Sequence, residues 1–124
     1  MHLVLAVEDV DRAYDFYRSA FGWEHHLQWP GEYVELALPD GDWLGLYRRD
    51  GYAETAGAEP ADLNGGVSPA YLYVRLDDVR EAEQRLRDAG AKALSPRSER
   101  GWGDEAAYFA DPDGNVIAVG KRIN

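Results

Sequence analysis

The stretch HLVLAVEDVDRAYDFYRSAFG, His2 to Gly22, changes its hydrophobic period once, and that change decides the fold. From His2 to Val7 the residues alternate as they do in a strand. After Asp9, the apolar positions Val10, Ala13, Tyr14, Tyr17, Ala20 and Phe21 recur at helical spacing until Gly22 ends the run. A strand therefore feeds a helix. The same order returns later: Tyr71 to Leu76 alternate, Asp78 takes the place of Asp9, and Val79, Ala82, Leu86 and Ala89 form a second helical stripe closed by Gly90. A shift of 69 positions superposes Asp9 on Asp78, Val10 on Val79, Ala13 on Ala82, Arg18 on Arg87 and Ala20 on Ala89.

A second marker supports the duplication. Pro39-Asp40-Gly41-Asp42 before Trp43-Leu44-Gly45-Leu46 matches Pro112-Asp113-Gly114-Asn115 before Val116-Ile117-Ala118-Val119, at a shift of 73. Both read as hairpin turns in which glycine supplies the positive φ, and each launches the last strand of its unit. Between helix and hairpin each unit has room for two more strands, about Glu24 to Trp29 and Tyr33 to Leu38 in the first, and Lys92 to Leu94 and Glu105 to Ala110 in the second. The expected fold is α+β: two tandem βαβββ modules forming a curved, open sheet around a cavity. The modules occupy 1–49 and 69–124 of a single domain. The stretch 50–68, rich in Gly, Ala, Asp and Glu and without periodicity, is expected to connect them.

The 124 residues suffice for one domain with a real core. There is no cysteine, which excludes disulfides, thiolate metal sites and a cysteine nucleophile. Thirteen basic against 23 acidic side chains give a formal charge of −10, which repels phosphate backbones and anionic membrane surfaces. Neither nucleic acid nor a membrane is an expected partner. With no basic leader and no long apolar run, the expected location is cytoplasmic.

Strand alternation divides side chains between a helix-facing side and an opposite side. Leu3, Leu5 and Val7 are expected to face the helix, with Leu72, Val74, Leu76, Leu44, Leu46, Ile117 and Val119. The other side then carries His2, Val4 and Ala6; Trp43, Gly45 and Tyr47; Tyr33, Glu35 and Ala37. Its counterpart in the second module carries Tyr71, Tyr73 and Arg75; Val116, Ala118 and Gly120; Ala106, Tyr108 and Ala110. Aromatic rings beside very small residues and a few polar groups suit a surface that lines a cleft.

The doubled unit, the segment from Val7 to Tyr17 that runs into a Phe-Tyr-containing helix, the Trp102-Gly103 pair and the Asp111-Pro112-Asp113-Gly114-Asn115 turn together resemble the vicinal oxygen chelate superfamily. That group includes glyoxalase I, extradiol dioxygenases, fosfomycin-modifying enzymes and bleomycin-binding resistance proteins. Its scaffold hosts both metal enzymes and metal-free binders, so the resemblance implies the fold more than the activity. Metal-dependent members place ligands on the first and last strands of each half. By that pattern the slots here fall at His2, Gly45, Tyr71 and Ala118, of which only His2 is a good ligand at neutral pH.

No cofactor is therefore expected. The resemblance implies instead a metal-free small-molecule-binding protein whose cavity between modules takes an aromatic or sugar-bearing ligand through His2, Glu35, Trp43, Tyr47, Tyr71, Tyr73, Arg75, Trp102 and Tyr108. Glu35 suits a cationic ligand and Arg75 an anionic one, which leaves the ligand's charge open. Glycines on both sides of Trp102 suggest a lid; the alternative is a permanent cap on the sheet edge. Two alternative functions remain. One is a metal-dependent lyase, isomerase or dioxygenase with a divalent ion on a rebuilt set of His2, Glu35 and one of His25 or His26, or a metal-free enzyme with His2 as base. The other is a dimeric interaction protein with a filled cavity. A homodimer is the expected assembly.

Overall fold

The computed structural model describes residues 1–123. Along the chain run β1 (His2–Val7), α1 (Val10–Phe21), β2 (His25–Trp29), β3 (Tyr33–Ala37), β4 (Trp43–Arg48), α2 (Arg49–Ala56), β5 (Tyr71–Arg75), α3 (Val79–Asp88), β6 (Lys92–Glu99), β7 (Asp104–Ala110) and β8 (Val116–Arg122). These elements form two compact units, residues 1–62 and the described residues from 63 onward. The first unit has a four-stranded sheet in the order β1-β4-β3-β2, and the second repeats it as β5-β8-β7-β6. In both, the first and last strands of the unit pair in parallel and the remaining pairs are antiparallel. The α+β duplication expected from the sequence is present.

The repeated aspartates start both helices by the same contact. Asp9 accepts from the Arg12 amide at 3.1 Å and Asp78 from the Glu81 amide at 3.0 Å, satisfying donors that have no partner inside the helix. Gly22 ends α1 with φ of 74°, a left-handed conformation that any Cβ would strain. Val10, Ala13, Phe16, Tyr17 and Ala20 of α1 are buried with Val34, Leu36, Leu44 and Leu46 of the sheet beneath. In the second unit Val79, Ala82 and Leu86 of α3 are buried with Ala107, Phe109, Ile117 and Val119. Each core is thus an amphipathic helix laid on the aliphatic side of a sheet.

Three expectations are corrected. Leu3 shares the helix-side register of Leu44, yet it is 40% exposed, and Leu5 and Leu72 are only half-buried. The reason is placement: α1 lies over β3 and β4, and α3 over β7 and β8, so β1 and β5, at one end of each four-stranded order, receive less cover. Second, β6 extends to Glu99 rather than Leu94, because bulges between Ala93 and Ser95 and between Ser95 and Ser98 let it keep pairing with β7. Third, the supposed connector begins with a helix. Periodicity missed α2 because none of its residues is buried. It is held instead by the Tyr47 ring packed against Gly51, by a hydrogen bond of 3.0 Å between the hydroxyls of Tyr47 and Thr55, and by the Arg49 guanidinium donating to the Pro60 and Ala61 carbonyls.

Candidate functional site

In the first unit the sheet face away from α1 gathers His2, Trp43, Tyr47 and Glu35, as parity requires, and α2 flanks it on the Tyr47 side. Two residues complete the group. Tyr33 donates its phenolic hydrogen to Glu35 Oε1 at 2.8 Å, and His2 Nε2 lies 3.0 Å from both that oxygen and the Tyr33 oxygen. His26 Nε2 donates to Glu35 Oε2 in a short hydrogen bond. A carboxylate only accepts, so His26 is the donor in its bond to Glu35. The His26 ring also lies on Trp43, with centroids 4.0 Å apart. Burial raises the Glu35 carboxyl, but hydrogen bonds from His26 and Tyr33 and the nearby imidazoles outweigh it and hold it below the ordinary glutamate range. Burial, then the bond to Glu35, pushes the Tyr33 phenol well above the ordinary tyrosine value, so it acts as a donor.

Neighbouring side chains on a strand point to opposite sides, so one of the two rings had to face outward. His25 pairs with Leu36 and turns back to the Tyr14 hydroxyl of α1 at 3.1 Å, while His26 reaches the open face and meets Glu35 and Trp43.

The corresponding face of the second unit brings together Tyr71, Tyr73, Arg75, Tyr108 and Trp102. Tyr71 and Tyr108 meet edge to face at 5.2 Å, and Tyr73 and Trp102 do so at 6.4 Å. Burial and then the Tyr71 hydroxyl push the Tyr108 phenol up to about 12. Beneath the rings sits Asp104, completely buried at the start of β7. Its carboxylate accepts from the Tyr73 hydroxyl at 2.6 Å and from Arg75, and Arg122 stands 3.4 Å from its other oxygen. The Tyr73 bond, with the two guanidiniums, holds Asp104 below the ordinary aspartate range against the opposing effect of burial. Sequence reasoning missed Asp104 and Arg122. Asp104 lies one residue before the expected strand start at Glu105, and its meeting with Arg122 comes from the pairing of β7 with β8.

Trp102 is tethered where the lid was expected: its indole N–H donates to the Tyr73 hydroxyl at 3.1 Å, and its carbonyl accepts from Arg122 at 2.7 Å. Almost half of the residue remains exposed.

The metal that the resemblance implies does not fit these residues. Of the four slots, Gly45 and Ala118 offer no donor atom. At Gly45 the room is also taken, since a Cβ there would lie 2.6 Å from the Tyr33 oxygen. The rebuilt set fares no better. Both Glu35 oxygens already accept from imidazole and phenol, and His25 turns to Tyr14. Among the described residues no group of three or more His, Cys, Asp or Glu side chains is arranged to hold a metal ion.

Comparison with known proteins gives one family. Residues 1–119 match the model of the Glyoxalase/Bleomycin resistance protein/Dioxygenase superfamily. The chain is 28% identical over 127 residues to the uncharacterised protein YraH of Bacillus subtilis (strain 168), covering 99% of this chain and 98% of that protein. Among solved structures it is similar to a glyoxalase-related enzyme from Fulvimarina pelagi, with a TM-score of 0.86 at 22% identity over 98% of this chain and 86% of the other. A lactoylglutathione lyase from Agrobacterium tumefaciens superposes with a TM-score of 0.73 at 26% identity, over 98% and 91% of the two chains.

Proposed function

The chain belongs to the Glyoxalase/Bleomycin resistance protein/Dioxygenase superfamily, and from that premise we propose that it is a metal-free small-molecule-binding protein that holds a ring-bearing ligand against the open aromatic faces of its sheets. One observation carries the reading. The Tyr33 ring lies across Gly45, one of the positions where the superfamily's pattern puts a metal ligand, and the network of His2, His26 and Glu35 pins that ring in place. Faces built from Trp43, Tyr47, Tyr71, Tyr73, Tyr108 and Trp102 offer stacking area with polar groups at fixed points, the composition of a ligand surface. The test is a thermal-shift screen of metal-stripped protein against divalent metals and a panel of planar and sugar-bearing compounds, since a ligand selective for the folded state raises its apparent stability. Stabilisation by an organic compound without metal is the expected result. Stabilisation by metal that disappears in His2→Ala would reverse the reading.

A second reading rests on the likeness to a lactoylglutathione lyase and on the carboxylate-held imidazoles. In it the chain is a metal-free enzyme, with His2 taking a proton at Nδ1 while Glu35 fixes the ring. Turnover of an added substrate that is abolished in His2→Gln would favour it. A cytoplasmic homodimer belongs to the first reading; exposed Leu3 and Leu94 support the association, and sedimentation velocity checks it.

A further inference from the structure

We infer that the open face of the second unit carries an anion subsite, formed by Arg75 and Arg122 around buried Asp104, that selects ligands bearing a carboxylate or phosphate on a planar ring. This deepens the proposed function and rests on the reading of the chain as a small-molecule binder.

The charge on this face has the opposite sign to the chain as a whole. Against the formal −10 of the sequence, two guanidiniums share one carboxylate here: Arg75 donates from Nε and Nη2 to Asp104 Oδ2 at 3.1 and 2.9 Å, and Arg122 Nη1 lies 3.4 Å from Oδ1. Arg100 adds a third positive charge. Its guanidinium lies over the Tyr108 ring at 5.1 Å and donates to neutral acceptors, the Ala106 and Pro96 carbonyls and the Ser95 hydroxyl. The nearby acids Glu83 and Glu105 do not offset it, because both pair with Arg97 on the α3 side of the sheet.

Burial separates the part that positions from the part that binds. Asp104 is wholly inaccessible, whereas the side chains of Arg75 and Arg122 remain 61% and 57% exposed. A guanidinium has five N–H donors in a planar fork. Nε and Nη2 of Arg75 turn inward to Asp104, and Nη1 of Arg122 turns to the Trp102 carbonyl at 2.7 Å and to Asp104, so these acceptors fix the orientation of the remaining, outer donors. The Tyr73 hydroxyl crosses over Gly120, where a Cβ would come within 2.5 Å of it, to reach Asp104 and brace the same carboxylate. Arg75 also lies over the Tyr73 ring at 5.6 Å. Rings of Tyr71, Tyr73 and Trp102 thus stand beside the exposed donors, which is the arrangement for a flat molecule with an oxyanion at one end. The first unit offers no equivalent for a cation, since both oxygens of Glu35 are already engaged.

The experiment uses the full chain and four matched probes: naphthoate, naphthyl phosphate, naphthamide and naphthylmethylammonium, measured by calorimetry and thermal shift. One or both anions should bind at least about tenfold more tightly than the amide, because a charge-assisted hydrogen bond exceeds a neutral one by that margin, and the ammonium should bind more weakly still. Whichever anion binds more tightly identifies the oxyanion preferred. In Arg75→Gln and Arg122→Gln the anion-to-amide ratio should collapse toward one while amide binding is retained. Should either variant fold poorly, the unaltered protein still decides the matter: affinity for the anion should fall with ionic strength and that for the amide should not. Amide or ammonium binding as tight as that of the anions, or a ratio unmoved in both variants, overturns the subsite but leaves the binding function standing. If no probe of any charge binds, both fall.

Discussion

Replacing Gly45 by alanine tests whether the Tyr33 ring occupies the place of the metal ligand that the superfamily's pattern puts there. A Cβ built on Gly45 lies 2.6 Å from the Tyr33 hydroxyl, 2.9 Å from Cε1 and 3.0 Å from Cζ, so the ring must move. It cannot retreat cheaply. Trp29 and Tyr47 flank it with ring centroids at 5.5 and 5.2 Å, and its hydroxyl is held by Glu35 and His2. Overpacking of this kind costs about 1–3 kcal/mol. With an unfolding entropy of about 2.1 cal/mol/K per residue, the chain's entropy is about 260 cal/mol/K, and the melting temperature should fall by about 4–12 °C. The decisive comparison repeats the substitution in a Tyr33→Ala background. There the clash is gone, and Gly45→Ala should be neutral or stabilising by up to about 1 kcal/mol, because alanine loses less backbone freedom than glycine on folding. Urea unfolding of the four proteins gives the coupling directly. If Gly45→Ala stays within about 0.5 kcal/mol of the unaltered protein, or costs the same in both backgrounds, the ring does not fill that position.

Three further outcomes are expected. Asp9→Ala and Asp78→Ala should each cost about 0.5–2 kcal/mol by denaturant unfolding, since each removes the acceptor of a helix's first-turn amide. The Glu35 carboxyl is depressed in the folded state, so its contribution is complete above the ordinary glutamate range and is lost as pH falls through the lowered value. Glu35→Gln should therefore flatten the acid limb of stability against pH in urea titrations, and an unchanged limb would contradict the network. If Trp102 closes over ligand, Trp102→Ala should weaken binding at least several-fold in calorimetry, and unchanged affinity would leave it a fixed cap on the sheet.

Much of the fold was legible because its signals are local. Asp9 with Gly22, and Asp78 with Gly90, mark helix ends through bonds that span three or four residues, and the change of hydrophobic period lies between them. The site was partly legible for a related reason. Side chains on a regular strand alternate, so His2, Glu35, Trp43, Tyr47, Tyr71, Tyr73, Arg75 and Tyr108 could be assigned to an open face by counting. Counting fails where the strand is irregular or where an element stands on contacts other than a buried stripe. The bulged β6 runs on to Glu99, past the Leu94 at which counting ended it, and α2 forms without burying a residue, by packing Gly51 under Tyr47.

By itself the sequence determined the duplication, the strand and helix order, and the absence of donors at Gly45 and Ala118, because each follows from residue identity and short-range spacing. The tertiary structure alone decided which charges meet. Asp104 comes against Tyr73 and Arg75 across 31 and 29 positions of chain, and against Arg122 across 18. Only the pairing of β5, β8 and β7 brings them together, and no spacing along the chain encodes a contact that exists through sheet order.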